Sequence, residues 1–177
     1  ASEVRVFSNC DEVALHLDGR LLERRGPERD RTATRLAHPP FRFRLGGFRP
    51  GRLEAVGYVG GRKAASHAVR TPGGVDRLSL ELDLAGRPLS RSRKDLVFCR
   101  AALRDAHGTI VPDAWENVAF GLTGGGTLVG NNPASSEAGV ASILLETAPR
   151  DPLPRLYALA LLQEGGTARL LAAATPG

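Results

Sequence analysis

The regular alternation of apolar and polar residues constrains this chain more than any other feature of its sequence. Val13, Leu15 and Leu17 alternate with Ala14, His16 and Asp18. Phe41, Phe43 and Leu45 alternate with Arg42 and Arg44, and Leu78, Leu80, Leu82 and Leu84 with Ser79, Glu81 and Asp83. A period of two sets one face of a strand on a core and the other in water. Residues 96–99, 143–145 and 156–162 are apolar on both faces, as the central strands of a sandwich are. No segment carries a convincing helical period. Residues 156–164 are rich in leucine and alanine, but Gly165-Gly166 joins them to a second apolar run at 168–174, which reads as a hairpin.

Turn chemistry punctuates these runs. Asp18-Gly19, Gly60-Gly61 and His107-Gly108 each separate two strand patterns. Asp-Gly suits a type I′ turn, whose two central residues both need positive φ. Short strands with a turn signal about every ten residues point to sandwiches or barrels. The chain is therefore expected to be all-β: two tandem immunoglobulin-like antiparallel β-sandwich domains. The division falls at Thr71-Pro72-Gly73-Gly74, because proline cannot continue a central strand and two glycines loosen the backbone. Charge changes there too: residues 1–72 hold 14 basic and 8 acidic side chains, and residues 73–177 hold 10 and 11. The expected domains are residues 1–71 and 75–177, the second having the usual length of an immunoglobulin-like sandwich. Residues 24–39 form a charged connection with little periodicity, and are expected to be mobile.

Several function classes are closed off. A hydrophobic content of 42% exceeds what a disordered chain carries. No apolar run approaches the ~18–20 residues of a membrane span. Cys10 and Cys99 are too few for a disulfide scaffold or a zinc knuckle, and Cys99, in the run LVFC, reads as a buried thiol. His16, His38, His67 and His107 form no His-x-His or His-x₃-His pair, so no metal or other cofactor is expected. Gly124-Gly125-Gly126 lacks the Lys-Ser/Thr of a phosphate loop and reads as a turn or bulge. The arginines of the first half are not interleaved with exposed aromatics, so no nucleic-acid partner is expected. Arg42 and Arg44 fit a solvent face opposite Phe41 and Phe43. Trp115, the one tryptophan, lies in the loop PDAWEN. Exposed, it would stack on a sugar ring; packing under a loop or against a neighbouring domain is the more ordinary use. The chain has no methionine, and its start, ASEVRVF, lacks the basic residues and apolar run of a signal peptide. It is expected to begin inside a longer gene product or to follow a removed leader, and no compartment follows from it.

The segment VRVFSNCDEVALHLDGRLL resembles the start of a module in glycoside hydrolase family 2 enzymes: a strand ending in Ser-Asn, an acidic turn, a Val-x-Leu-x-Leu strand and an Asp-Gly hairpin. FRFRLGGFRPGRLEAVGYVGGRKAASHAVRTPG resembles that module's end, with its proline-glycine turn, Leu-x-Ala-x-Gly-Tyr strand, glycine hairpin and closing Arg-Thr-Pro-Gly. DLVFCRAALRDAHGTIVPDAWENVAFGLTGGGTLVGNNP resembles the last immunoglobulin-like domain of the family, through an Asp-x-x-Gly hairpin and a Gly-x-Gly-x-Leu-x-Gly-x-Asn run. The likeness is to the C-terminal modules of the β-galactosidase type. It fades at residues 24–39 and after Asn132.

The resemblance implies a non-catalytic part of a bacterial hydrolase. The family's two catalytic glutamates stand on an upstream (β/α)₈ barrel, which needs about 250 residues, and no glutamate here matches their motifs. Asn9 is then expected to bond the turn backbone through its amide, Gly19, Gly61 and Gly108 to supply positive φ, and Asp95 to bond backbone at a strand entrance. The implied partners are the catalytic and other domains of the parent enzyme, with carbohydrate or a second copy as further candidates. Two other readings stand beside this one. A free carbohydrate-binding module needs an aromatic platform, for which Trp115 is the candidate. A cell-surface immunoglobulin-like spacer predicts repeats, and the two halves are not alike.

Overall fold

The computed structural model describes residues 2–31, 33–149 and 152–175. Every strand is antiparallel and no helix occurs among the described residues. The chain divides into two units, Ala1–Thr71 and Pro72–Gly177.

In unit 1 a two-stranded sheet, β1 (Ser2–Val6) and β4 (Phe41–Leu45), lies over a four-stranded sheet of order β3-β2-β5-β6. The latter comprises β2 (Glu12–Leu17), β3 (Arg20–Arg25), β5 (Arg52–Val59) and β6 (Arg62–Arg70). The alternation in β4 places Phe41 and Phe43 inward, both without solvent exposure. They meet Val13 and Leu15 in a core of four buried side chains, edged by Val4, Val6, Leu45, Leu53 and Ala55. Asp18 (φ +49°) with Gly19, and Gly60 (φ +56°) with Gly61, close the β2–β3 and β5–β6 hairpins, as type I′ turns require. The connection from β3 to β4 is less loose than its composition suggests. Glu28 N–H donates to Pro40 O at 3.1 Å, Arg42 pairs with Asp30 at 2.6 Å, and Ala33 and Pro39 are buried.

Unit 2 is a sandwich of two four-stranded sheets. One has the order β10-β12-β8-β7, from β7 (Arg77–Leu82), β8 (Leu96–Arg104), β10 (Gly126–Val129) and β12 (Val140–Thr147). The other has the order β11-β9-β13-β14, from β9 (Asn117–Thr123), β11 (Ala134–Ser135), β13 (Arg155–Glu164) and β14 (Thr167–Ala174). The constant-type immunoglobulin sandwich sets four strands against three; unit 2 differs by one further strand, the two-residue β11. The core is continuous, with Leu103, Val118, Leu145 and Leu156 fully buried at its centre. The Leu78–Leu84 alternation ends early: Leu84 N–H turns back to Leu82 O at 3.0 Å and Ala85 takes φ +47°. The runs apolar on both faces are indeed laterally central, since β8, β12 and β13 each have two neighbours. Only one face of each is covered within the sandwich, so the second apolar face looks outward.

Candidate functional site

The loop before β9 carries the one side chain that the sequence marks for ligand contact. Val111 N–H donates to Leu103 O at 2.9 Å and Ala114 N–H to Val111 O at 3.1 Å, and both residues are buried. Ser136, with no solvent exposure, then clasps the loop on both sides of the tryptophan. Its hydroxyl donates to Ala114 O at 2.9 Å and accepts Glu116 N–H at 2.8 Å, while its own N–H donates to Glu116 O at 2.8 Å. Trp115 projects between these anchors and is 70% exposed. The backbone on both sides of the ring is fixed, so meeting a partner costs little main-chain freedom there and orders chiefly the side chain. Its indole face suits a sugar ring or an apolar protein surface equally.

The remaining sequence-marked positions do not converge with Trp115. Gly19 and Gly61 stand in the unit 1 hairpins with φ of +82° and +77°, and Gly108 in unit 2 with φ +85°. In the turn before β2 the side-chain bond comes from Ser8: its Oγ accepts Cys10 N–H at 3.1 Å, while Asn9 is exposed. Asp95 does bond backbone at the entrance of β8, accepting Ser90 N–H at 2.5 Å.

Several carboxylates serve the fold. Asp18 accepts Arg52 N–H at 2.8 Å, and Asp11 accepts Gly60 N–H at 2.8 Å. Asp105, the first residue of the Asp-x-x-Gly hairpin, is 1% exposed. It accepts the N–H groups of Gly73, His107 and Thr109 at 3.0, 2.9 and 2.8 Å. These bonds, led by that of Gly73, outweigh burial and hold its carboxyl below the usual range. Glu54 is held low by its bond from Arg52. Cys10 and Cys99 are buried free thiols, and burial pushes Cys99 up to about 11, so it behaves as a small hydrophobe. No group of three or more metal-ligating side chains gathers among the described residues. An open depression of about 390 Å³ at the β2–β3 hairpin is lined by Leu17, Asp18, Arg20, Leu21, Leu22 and Arg49.

Three structural roles escape a local reading of the sequence. A Cβ on Gly57 would stand 2.5 Å from Cys10 Sγ, so this strand glycine admits the thiol. In the Gly-x-Gly-x-Leu-x-Gly-x-Asn run, a Cβ on Gly126 (φ +147°) would meet Glu146 O at 2.7 Å. The terminal Asn132 reads one residue of β9 twice, accepting Phe120 N–H at 2.8 Å and donating to Phe120 O at 2.7 Å.

Known proteins share this sequence and fold in part. A family profile described as a domain of unknown function, DUF4982, matches residues 1–65. A β-galactosidase of Thermoanaerobacter pseudethanolicus is 30% identical over 151 residues, which is 80% of this chain and 20% of that protein. A glycosyl hydrolase family 2 member from Bacteroides cellulosilyticus aligns with 98% of the chain at a TM-score of 0.69 and 21% identity, over 24% of its own length. A β-glucuronidase of glycoside hydrolase family 2 aligns with 98% of the chain at a TM-score of 0.67 and 17% identity, over 18% of its length. The chain thus spans about a fifth of the length of these relatives. The likeness runs through both units, and it is to the C-terminal β-sandwich region of family 2 enzymes.

Proposed function

We propose that this chain, similar along its length to the C-terminal β-sandwich region of family 2 glycoside hydrolases, is a non-catalytic accessory region of such an enzyme, with a β-galactosidase-like parent. Its role is to buttress the catalytic part and to bring loops such as that of Trp115 to the substrate cleft or a subunit contact. One observation carries the reading: relatives that are glycosidases match 80% to 98% of this chain with about a fifth of their own. The chemistry agrees with it. Retaining hydrolysis needs two carboxyls about 5–5.5 Å apart, one of them free to ionise as a nucleophile. Here Asp11, Asp18, Asp95 and Asp105 are engaged by backbone N–H groups, and Glu12, Glu54 and Glu146 by Arg24, Arg52 and Lys94.

The test is hydrolysis of chromogenic β-galactoside and β-glucuronide by this chain alone and by the gene product that contains it. The expected result is an inactive chain beside an active longer protein, with the preferred substrate naming the enzyme. Activity in the purified chain would overturn the proposal, as would a gene that encodes no barrel.

The exposure of Trp115 favours one second reading, a carbohydrate-binding module. Titration of glycans against tryptophan fluorescence separates the two. A saturable change would support glycan binding, and unchanged emission across a broad panel would remove it.

A further inference from the structure

The outer face of sheet β11-β9-β13-β14 is unlike the rest of the surface of unit 2. Along β13, Tyr157, Leu159 and Leu161 point outward, 36%, 44% and 50% exposed. Register pairs Leu161 with Leu170 of β14, itself 64% exposed, and pairs Leu159 and Tyr157 with Ala172 and Ala174. On the other side they face Ala119 and Gly121 of β9. The middle of the sheet therefore presents large apolar side chains flanked by small ones, with no charge among these positions. Arg155 stands at the strand's start, its guanidinium 6.0 Å from the Tyr157 ring centre.

The opposite sheet makes the contrast. Leu96 and Phe98 also point outward, but ion pairs break up that face: Arg100 with Asp83 at 2.9 Å and Lys94 with Glu146 at 2.7 Å. Charge pairs of this kind belong in water. A sheet face whose middle is apolar, with Arg155 only at its edge, has the character of a contact surface.

We infer that the outer face of β9-β13-β14 is where unit 2 seats against an uncharged surface of the rest of its parent hydrolase. This deepens the accessory-region reading and rests on it. Length argues for that occupant, since about four fifths of the relatives' chain lies outside the matched region. Size argues for it over a second copy. The face offers four large apolar side chains, Tyr157, Leu159, Leu161 and Leu170, edged by small ones, against the ~20–30 residues a side that a stable free complex buries. Domains of one chain make do with contacts of this smaller size, because the tether supplies a high effective concentration.

The test uses the full-length gene product. Leu161→Cys, with Leu170→Cys as a second variant, is compared with Leu96→Cys on the opposite sheet by the rate of maleimide labelling. Cys10 and Cys99 are buried, and the unsubstituted gene product gives the background rate of every other thiol, which is subtracted. The covered face is expected to label at least about tenfold more slowly, as access governs thiol chemistry. Equal rates overturn the inference. So does slow labelling that vanishes on dilution together with a fall from dimer to monomer in light scattering, which would make a second copy the occupant. The same preparations are assayed on the chromogenic glycosides. An active enzyme with a freely reactive Leu161→Cys loses the docking face and keeps the accessory reading. An inactive protein with a slow thiol loses the accessory reading, and with it the named occupant.

Discussion

The two units solve the same problem, a β-sandwich core, on different scales. Unit 1 closes a two-stranded sheet over a four-stranded one, around four buried side chains. Unit 2 sets two four-stranded sheets face to face, around a core that draws on most of its strands. Surface grows relative to volume as a domain shrinks, so unit 1 concentrates its stability in fewer residues. It compensates with capped hairpins, in which Asp18 and Asp11 hold the backbone, and with a surface cover in which Arg24 pairs with Glu12 and lies 4.2 Å from the Tyr58 ring centre. A small sandwich leans on turn chemistry and side-chain cover, and a larger one leans on its core.

The sharpest way to break this comparison is to remove one residue from each core. Phe43→Ala is expected to cost about 3–5 kcal/mol, enough to unfold unit 1 at room temperature. Trp115, the only tryptophan, lies in unit 2. Far-UV circular dichroism should therefore lose amplitude while the tryptophan transition in urea stays in place. A shift of both probes together would mean that the units do not differ as described. Leu103→Ala, in the larger core, is expected to cost about 2–5 kcal/mol but to leave unit 2 folded, with its tryptophan transition moved to lower urea.

A smaller effect sharpens the contrast. Gly57→Ala is expected to destabilise unit 1 by about 1–3 kcal/mol, as overpacking does, because the new methyl meets Cys10 Sγ. Cys10→Ala should restore most of the loss in the double variant; no restoration would place the strain elsewhere. Smallest at neutral pH is the effect of proton binding at Asp105. Its folded carboxyl titrates below its unfolded one, so its contribution is complete above about pH 4 and is lost as pH falls through the lower folded value. The tryptophan-monitored urea midpoint of unit 2 should fall over that acid range. Asp105→Asn should lower the midpoint at pH 7 and flatten its acid dependence. An unchanged acid slope in that variant would assign the titration to another group.

Much of this was legible because it is local. Period two in 13–17 and 41–45 picks out Val13, Leu15, Phe41 and Phe43 as a buried face, and Asp18-Gly19 and Gly60-Gly61 announce turns through φ alone. What stayed hidden depends on residues distant in sequence. Nothing near Gly57 says that Cys10 will press on it. Nothing in residues 24–39 says that Ala33 and Pro39 will be covered. In the turn before β2, Ser8 and Asn9 are both competent acceptors, and only the backbone's path selects Ser8. The run 156–162 reads as a central strand, which it is, but a sandwich has two layers and leaves the second face of each strand open. The exposure of Trp115 is likewise set by Ser136, twenty-one residues downstream.

The strand order of unit 2 has a consequence in time. β8 pairs with β12, and β9 with β13, so neither sheet closes until the chain has continued well past both strands. Between the end of β8 at Arg104 and the end of β14 at Ala174 lie 70 residues. At about 5–20 residues per second of synthesis, the hydrophobic strand β8, with only β7 made as a partner, waits several seconds for its other neighbour and for the facing sheet. Unit 1, encoded ahead of it, can already have closed. The nascent chain is thus most exposed to proteases and chaperones while unit 2 is half made, and a synonymous codon change that slows translation of residues 105–147 would act on yield without altering one atom of the finished protein.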